Sequence, residues 1–268
     1  MEKRNDGKPL YVDLDASNIE HEHICCAIAG KDHQEGVERK KAFLSHGFGR
    51  GLVFRKLDVR GKVFVEYAPA EAAWRPVVAP GYLVIHCLWV SGRYKGQGLG
   101  RELLRHCLDD ASAGHHGVVA VSGRSPYLTD TRFYLSQGFE LVDRTETGYD
   151  LVCFRDGTAP TPRFADNARR GTVSEADGVH FEYVYQCPFV PGCLQDMSAV
   201  AGEFDLAVTS RELATVEDVR GAASPFGTFG AFLFGRLITH ELMSGNKFRK
   251  LLEQELESRR RADGEAAR

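Results

Sequence analysis

The chain has 268 residues, 43% of them hydrophobic and 26% charged, with 34 basic against 37 acidic side chains for a formal charge of −3. That length can bury one large core or two small ones, and the charge balance gives no reason to expect nucleic acid or an anionic membrane as the partner of the whole chain. The amino terminus MEKRNDGKPL lacks an apolar signal core, no stretch approaches the ~18 apolar residues of a membrane span, and seven cysteines form no regular framework. A cytoplasmic protein without a membrane partner is the expectation.

In chain order, residues 51–54 and 63–67 read as strands around a turn at 58–61. Residues 82–90 (YLVIHCLWV) form an apolar run long enough for a central strand buried on both faces. Residues 98–111 carry Leu99, Leu103, Leu104 and Leu108 at the spacing of an amphipathic helix. A strand at 118–121, a short helix at 131–136 stopped by Gly138, and a closing strand at 149–154 follow. Alternating strands and helices predict an α/β sheet with helices packed on it.

Residues 157–178 are rich in Pro, Gly, Ala and charge without apolar periodicity, and read as a linker. Beyond it the spacing predicts strands at 181–186, 204–208, 229–234 and 237–242, with helices running through Ala201, at 216–222 and at 246–256. The tail from Ser258 is charged and expected to fray. The expected organisation is therefore 1–156, a linker at 157–178, a second domain at 179–257 and a flexible tail at 258–268.

Between the apolar strand and its helix lies Arg93-Tyr94-Lys95-Gly96-Gln97-Gly98-Leu99-Gly100. Alternating glycines let a backbone approach a ligand closely and adopt positive φ. The unpaired first amides and the dipole of the following helix favour phosphate there, with Lys95 and Arg101 adding charge. The G-x-G-x-G order differs from the dinucleotide fingerprint. It resembles instead the [Q/R]-x-x-G-x-[G/A] signature of GNAT acetyltransferases, matched by Arg93, Gly96 and Gly98. Phe133-Tyr134-Leu135-Ser136-Gln137-Gly138-Phe139 resembles the F-Y-x-x-x-G-F segment of the same fold.

The segments at 21–26, 59–67 and 89–92, with Gln186-Cys187-Pro188-Phe189 and Ser224-Pro225-Phe226, resemble the YoaP-like acetyltransferases. The resemblance implies a GNAT mixed-sheet fold followed by a small thioredoxin-like α/β domain, with Pro225 where such folds place a cis proline. It also implies an acyltransferase that passes an acyl group from acetyl-CoA, or another acyl-CoA, to the amine of a small molecule. The coenzyme would lie against Leu88, Trp89 and Val90 and the loop residues Arg93, Lys95, Gly96, Gln97, Gly98, Leu99, Gly100 and Arg101.

Tyr134 stands where the family places the acid for a departing thiolate, and a phenol of pKa ~10 suits that task. His86 and Glu66 interrupt apolar strands, so each either faces a cleft as a base or is a satisfied buried polar group. His21, His23, Cys25 and Cys26 are too crowded for one tetrahedral site, and no metal is expected. In the family this stretch is an early helix beside the acceptor pocket. Cys187 and Cys193 are six residues apart, not in C-x-x-C spacing, so a docking or covering role for the second domain is expected over redox chemistry. Residues 31–62 hold nine Lys/Arg against four acids, which keeps open an aminoacyl-tRNA as alternative donor.

Overall fold

A computed structural model describes residues 10–28, 33–155 and 157–266. Its first half is built on a seven-stranded sheet in the order β1-β2-β3-β5-β6-β8-β7. The strands are β1 (Tyr11–Asp13), β2 (Val53–Leu57), β3 (Val63–Pro69), β5 (Leu83–Val90), β6 (Gly117–Ser122), β7 (Glu140–Arg144) and β8 (Asp150–Arg155). All neighbours are antiparallel except β5 and β6, joined by the crossover helix α2 (Leu99–Ala111).

Side chains alternate across the sheet as the pleat demands. Val63, Val65 and Tyr67 of β3 pack with Leu99, Leu103, Leu104 and Cys107 of α2. Phe64 and Ala68 face the other way, with Phe54 and with Leu44 of α1 (Gln34–Phe48). Coverage on both sides explains why β3 and β5 read as nearly continuous apolar runs. The short α3 (Thr131–Leu135) is capped by Asp130, whose carboxylate accepts from the Arg132 amide at 2.8 Å.

The second half carries β10 (Val179–Tyr183), α5 (Val190–Glu203), β11 (Val208–Glu212), α6 (Val216–Arg220), β12 (Phe229–Leu233), β13 (Arg236–Thr239) and α7 (Gly245–Ala266). Its sheet runs β11-β10-β12-β13, with β10 parallel to β11 and antiparallel to β12. Met197 and Val200 of α5 and Phe248 and Leu252 of α7 cover Val179, Phe181, Ala231 and Leu233. All peptide bonds among the described residues are trans, so Ser224–Pro225 lacks the expected cis geometry.

Three expectations change. The stretch at 157–178 is not a free linker: β9 (Arg163–Phe164) pairs with β4 (Val77–Val78), and α4 (Asp166–Arg170) follows. Phe164 and Ala168 are fully buried, two apolar anchors too sparse to show as periodicity. The tail stays helical through Ala266, being rich in good helix formers. Arg259 fastens it by stacking 4.7 Å above the Phe234 ring. The second strand of the C-terminal sheet begins at Val208, where an edge strand with every residue exposed needs no apolar pattern.

The two halves share a tight seam. Trp74 packs with Val184, Leu213, Val216 and Val219, and Phe226 enters the core of the first half. Gly36 of α1 abuts Pro188 so closely that a Cβ there would lie 1.9 Å from the Pro188 carbonyl oxygen. Gly36→Ala should therefore lower stability by about 1–3 kcal/mol, the range for overpacking. Gly49 has φ −67° and open space around it, so Gly49→Ala should instead stabilise by about 0.4–1 kcal/mol. Urea denaturation of both variants, followed by circular dichroism, checks the pair.

Candidate active site

The parallel pairing of β5 with β6 lasts only from Leu83↔Val118 to Ile85↔Ala120, although both strands continue. Beyond it β6 stays with β8, while β5 diverges with His86 bulged out of register between Glu66 and Tyr67 of β3. Bulges bend a strand and interrupt its ladder. Leu88, Trp89 and Val90 thus lie half-buried on a strand whose β6 side is open.

The strand then turns through a 3-10 segment, Gly92–Tyr94, pinned by the buried Tyr94 ring. Arg93 reaches back to the Tyr94 hydroxyl at 2.9 Å, and Gln97 donates to the Arg93 carbonyl at 2.6 Å. Gly96 (φ 75°) and Gly98 (φ 79°) hold left-handed conformations, and nothing lies within 4 Å of where their Cβ atoms would be. Lys95, Gly96, Gln97 and Gly98 are exposed, with Arg101 on the first turn of α2, beside Leu99 and Gly100. Among the described residues, no backbone acceptor occupies the amides of Gly96 to Arg101. A bare glycine cradle with free amides at a helix start fits a pyrophosphate.

Tyr134 is 1% exposed and lines a small cavity between the diverging strands with Cys87, Leu88 and Thr129. Burial raises its phenol above the ordinary value, with Thr129 partly opposing, so it stays protonated at neutral pH.

His86, Cys87, Arg75, Tyr127 and Phe226 belong to this cavity and also to a larger one at the seam. Glu66 and Trp89 wall the larger cavity from the first half, and Gln186, Cys187 and Phe189 from the second. The sequence pair His86 and Glu66 is brought together here, but in a closed network. The His86 Nε2 accepts from the Trp74 amide at 3.0 Å, which leaves Nδ1 as the proton-bearing nitrogen facing Glu66 Oε1 at 3.2 Å. Glu66 also accepts from Gln186 Nε2 at 2.9 Å and from the Lys40 ammonium. Burial opposes the charge on Glu66, yet Lys40 and His86 outweigh it and hold the carboxyl at about 2. Burial brings His86 down to about 4. Of the two forms expected for each residue, the geometry is that of a satisfied buried polar group and not of a free base: both His86 nitrogens are engaged, and a carboxylate so stabilised is a weak proton acceptor.

Several functional groups escape a reading of spacing. Arg75, 2% exposed, donates from Nη1 to the Trp74 carbonyl (2.7 Å), Gln186 Oε1 (2.8 Å) and Thr228 Oγ1 (3.1 Å), and from Nη2 to the His86 carbonyl. It could have been noticed as the one charge in the run 72–80 (AAWRPVVAP). Lys40 shares the buried stripe of α1 with Leu44 and Gly47.

Residues 21–26 form turns, not a helix, because Cys25 takes φ 61° and Ala27 φ 54°. His23 is used locally, accepting from the Cys25 amide and donating to the Val59 carbonyl. Burial pushes the Cys187 thiol up to about 12 and Cys193 to about 11, far from a reactive thiolate. Three of the described cations in the basic stretch at 31–62 are taken up by acids rather than left for phosphate. Lys40 and Lys56 are buried in ion pairs with Glu66 and Glu22, and Arg55 pairs with Asp13 and Asp110, while Lys31 lies outside the described residues.

The acetyltransferase (GNAT) domain family matches residues 57–141, and the YoaP-like family matches residues 209–250. The chain is 38% identical over 246 residues to the Bacillus subtilis (strain 168) protein named uncharacterized N-acetyltransferase YoaP, covering 90% of this chain and 98% of that one. The chain belongs to the YoaP-like GNAT acetyltransferases. Solved structures with a similar first half include a putative GNAT acetyltransferase from Desulfovibrio desulfuricans (17% identity, TM-score 0.40, 55% of this chain and 98% of that one). Another is the Escherichia coli N-acetyltransferase YhbS in complex with CoA (18% identity, TM-score 0.39, 58% and 89%). As an acetyltransferase of this family, the chain is an enzyme. Among its described residues no helix is long and apolar enough to cross a membrane.

The Glu66 and His86 shifts have the same sign. The His86 pKa falls from 6.5 unfolded to about 4 folded, so the unfolded chain binds the extra proton as pH drops below 6.5. Glu66 falls from 4.5 to about 2, so its contribution is present above 4.5 and lost toward 2. Stability should decline on acidification from pH 7 to 4, and His86→Gln should flatten the part of the curve above pH 4.5. Glu66→Gln should cost roughly 3–5 kcal/mol at pH 7, because it strands the buried Lys40 ammonium. Urea melts across this pH range measure all three effects.

Proposed function

We propose that the chain transfers an acyl group from acetyl-CoA or a related acyl-CoA to the amine of a small molecule by direct attack. The single observation carrying this reading is the continuity of three features. An open glycine cradle at Arg93–Gly100 follows the free side of β5, Leu88 of that strand lines the Tyr134 cavity, and this cavity shares His86, Cys87 and Arg75 with the seam cavity. When bound, acyl-CoA supplies an activated thioester carbonyl. The free amides of Gly96 to Arg101 hold the pyrophosphate, with Lys95 and Arg101 at the rim. The unpaired side of β5 at Leu88–Val90 offers backbone groups to an amide-bearing arm.

The amine attacks the thioester carbonyl and the carbon–sulfur bond breaks. Tyr134, kept protonated by burial, donates its proton to the departing sulfur, and the proton lost by the amine returns to the phenol through water. Glu66 and His86 act as positioning residues: with Lys40 and Gln186 they fix the wall against which the acceptor amine lies. The C-terminal half closes the acceptor side through Gln186, Cys187, Pro188 and Phe189, so acceptor selection depends on both halves.

Acetyl-CoA should raise the melting temperature, with about 2.7 kcal/mol of stabilisation at 100 times the dissociation constant. Gly98→Asp, which sets a carboxylate against the pyrophosphate, should abolish that shift. Tyr134→Phe should leave the shift intact and lower turnover by about 10²–10⁴-fold. Thermal melts and a free-thiol release assay read these outcomes, and wild-type turnover in Tyr134→Phe would return the residue to a core role.

A further inference from the structure

The seam cavity is lined by three cations, Lys40, Lys62 and Arg75, and by one carboxylate, Glu66. Lys40 is spent on Glu66. The Arg75 guanidinium is not compensated in this way: every acceptor it meets is a neutral oxygen, from Trp74, Gln186, Thr228 and His86, and among the described residues it has no ion pair. Taking a guanidinium out of water without a counter-ion is costly, and its flat fork is shaped for a carboxylate. Burial brings the Arg75 pKa down to about 10 although the Glu66 carboxylate nearby works against the fall, and the Phe226 ring covers one face of the guanidinium at 5.3 Å.

A second donor points to the same ligand. Among the described residues the buried Trp89 indole N–H has no hydrogen-bond partner, and Trp89 lines this cavity. An indole nitrogen can only donate, so it requires an acceptor that the protein does not provide. Around these two donors the walls are apolar, with Phe64, Phe189 and Phe226.

The geometry points to an acceptor amine that also bears a carboxylate and an apolar side chain, the chemistry of a hydrophobic amino acid. The carboxylate lies toward Arg75 and the Trp89 indole, and the side chain lies among the phenylalanines. The amine is thereby turned toward His86 and Cys87, which this cavity shares with the Tyr134 cavity. This specificity rests on the acyl-transfer reading for its purpose, but the carboxylate site can be tested independently.

The only two tryptophans of the chain, Trp74 and Trp89, both border this network, so intrinsic fluorescence reports on it. Four probes separate the contributions: L-phenylalanine, L-phenylalaninamide, 2-phenylethylamine and 3-phenylpropionate. The two carboxylates should bind saturably, at least 10-fold more tightly than the two amines lacking one. Trp89→Phe, which keeps a ring and removes the N–H, should weaken the carboxylates about 3–10-fold, with Trp74 as the remaining reporter. Arg75→Lys should weaken them further while keeping the charge, and Gly98→Asp should leave them unchanged.

Equal binding of all four probes, no binding of either carboxylate, or a preference unaffected by Trp89→Phe and Arg75→Lys would overturn the inference. The acyl-transfer reading fails separately, if acetyl-CoA produces no Gly98-dependent thermal shift. A carboxylate preference surviving that result would leave the site standing with another use.

Discussion

Arg75 sits where the two halves of the chain meet and where almost no water reaches. Its guanidinium joins the Trp74 carbonyl and the bulged His86 of the first half to Gln186 and Thr228 of the second. Gln186 is oriented by this contact: its oxygen accepts from Arg75 and Thr228, which turns its amide nitrogen toward Glu66. Glu66 in turn holds Lys40 and His86. Neutral oxygens from both halves meet this buried cation in part, and without them the seam could not close. The second half is therefore a structural part of the site, and removing it would leave a guanidinium and an ion pair facing solvent or one another without their partners.

The bulge at His86 links this network to the rest of the molecule. By placing one extra residue on β5 it shifts the register with β3 by one residue between Glu66 and Tyr67, and it coincides with the loss of pairing to β6. The carbonyl of the bulged residue is taken by Arg75, and its ring by Glu66 and Trp74. The interruption that leaves one side of the strand open is thus held by hydrogen bonds that also form the wall of the seam cavity. The Tyr134 cavity and the seam cavity share His86, Cys87 and Arg75, so a shift in the seam would be felt along β5. Of the basic side chains that look concentrated between residues 31 and 62, the same fold draws Lys40, Arg55 and Lys56 into separate ion pairs.

Local chemistry made much of this legible. The apolar run at 82–90 has the length of a doubly covered strand, and the leucine spacing after it is that of an amphipathic helix; β5 and α2 have those boundaries to within a residue. Gly96 and Gly98 announced positive φ at a helix start because no other residue adopts it so cheaply. Edge and anchor elements were less visible. Residues 208–212 pair on one side only and bury nothing, while Phe164 and Ala168 fasten residues 157–178 through two contacts rather than a repeating face.

What the sequence determined by itself was the α/β alternation, the glycine cradle and the presence of Tyr134, Glu66 and His86 at unusual places. Those follow from periodicities and backbone preferences that act over a few residues. Tertiary structure alone decided their chemistry. His86 and Glu66 lie 20 residues apart, and Gln186 lies 120 residues from Glu66. Whether such groups become free bases or a closed hydrogen-bonded wall depends on which partners burial brings within 3 Å. Desolvation and pairing are properties of a packed volume, and no spacing along the chain encodes them.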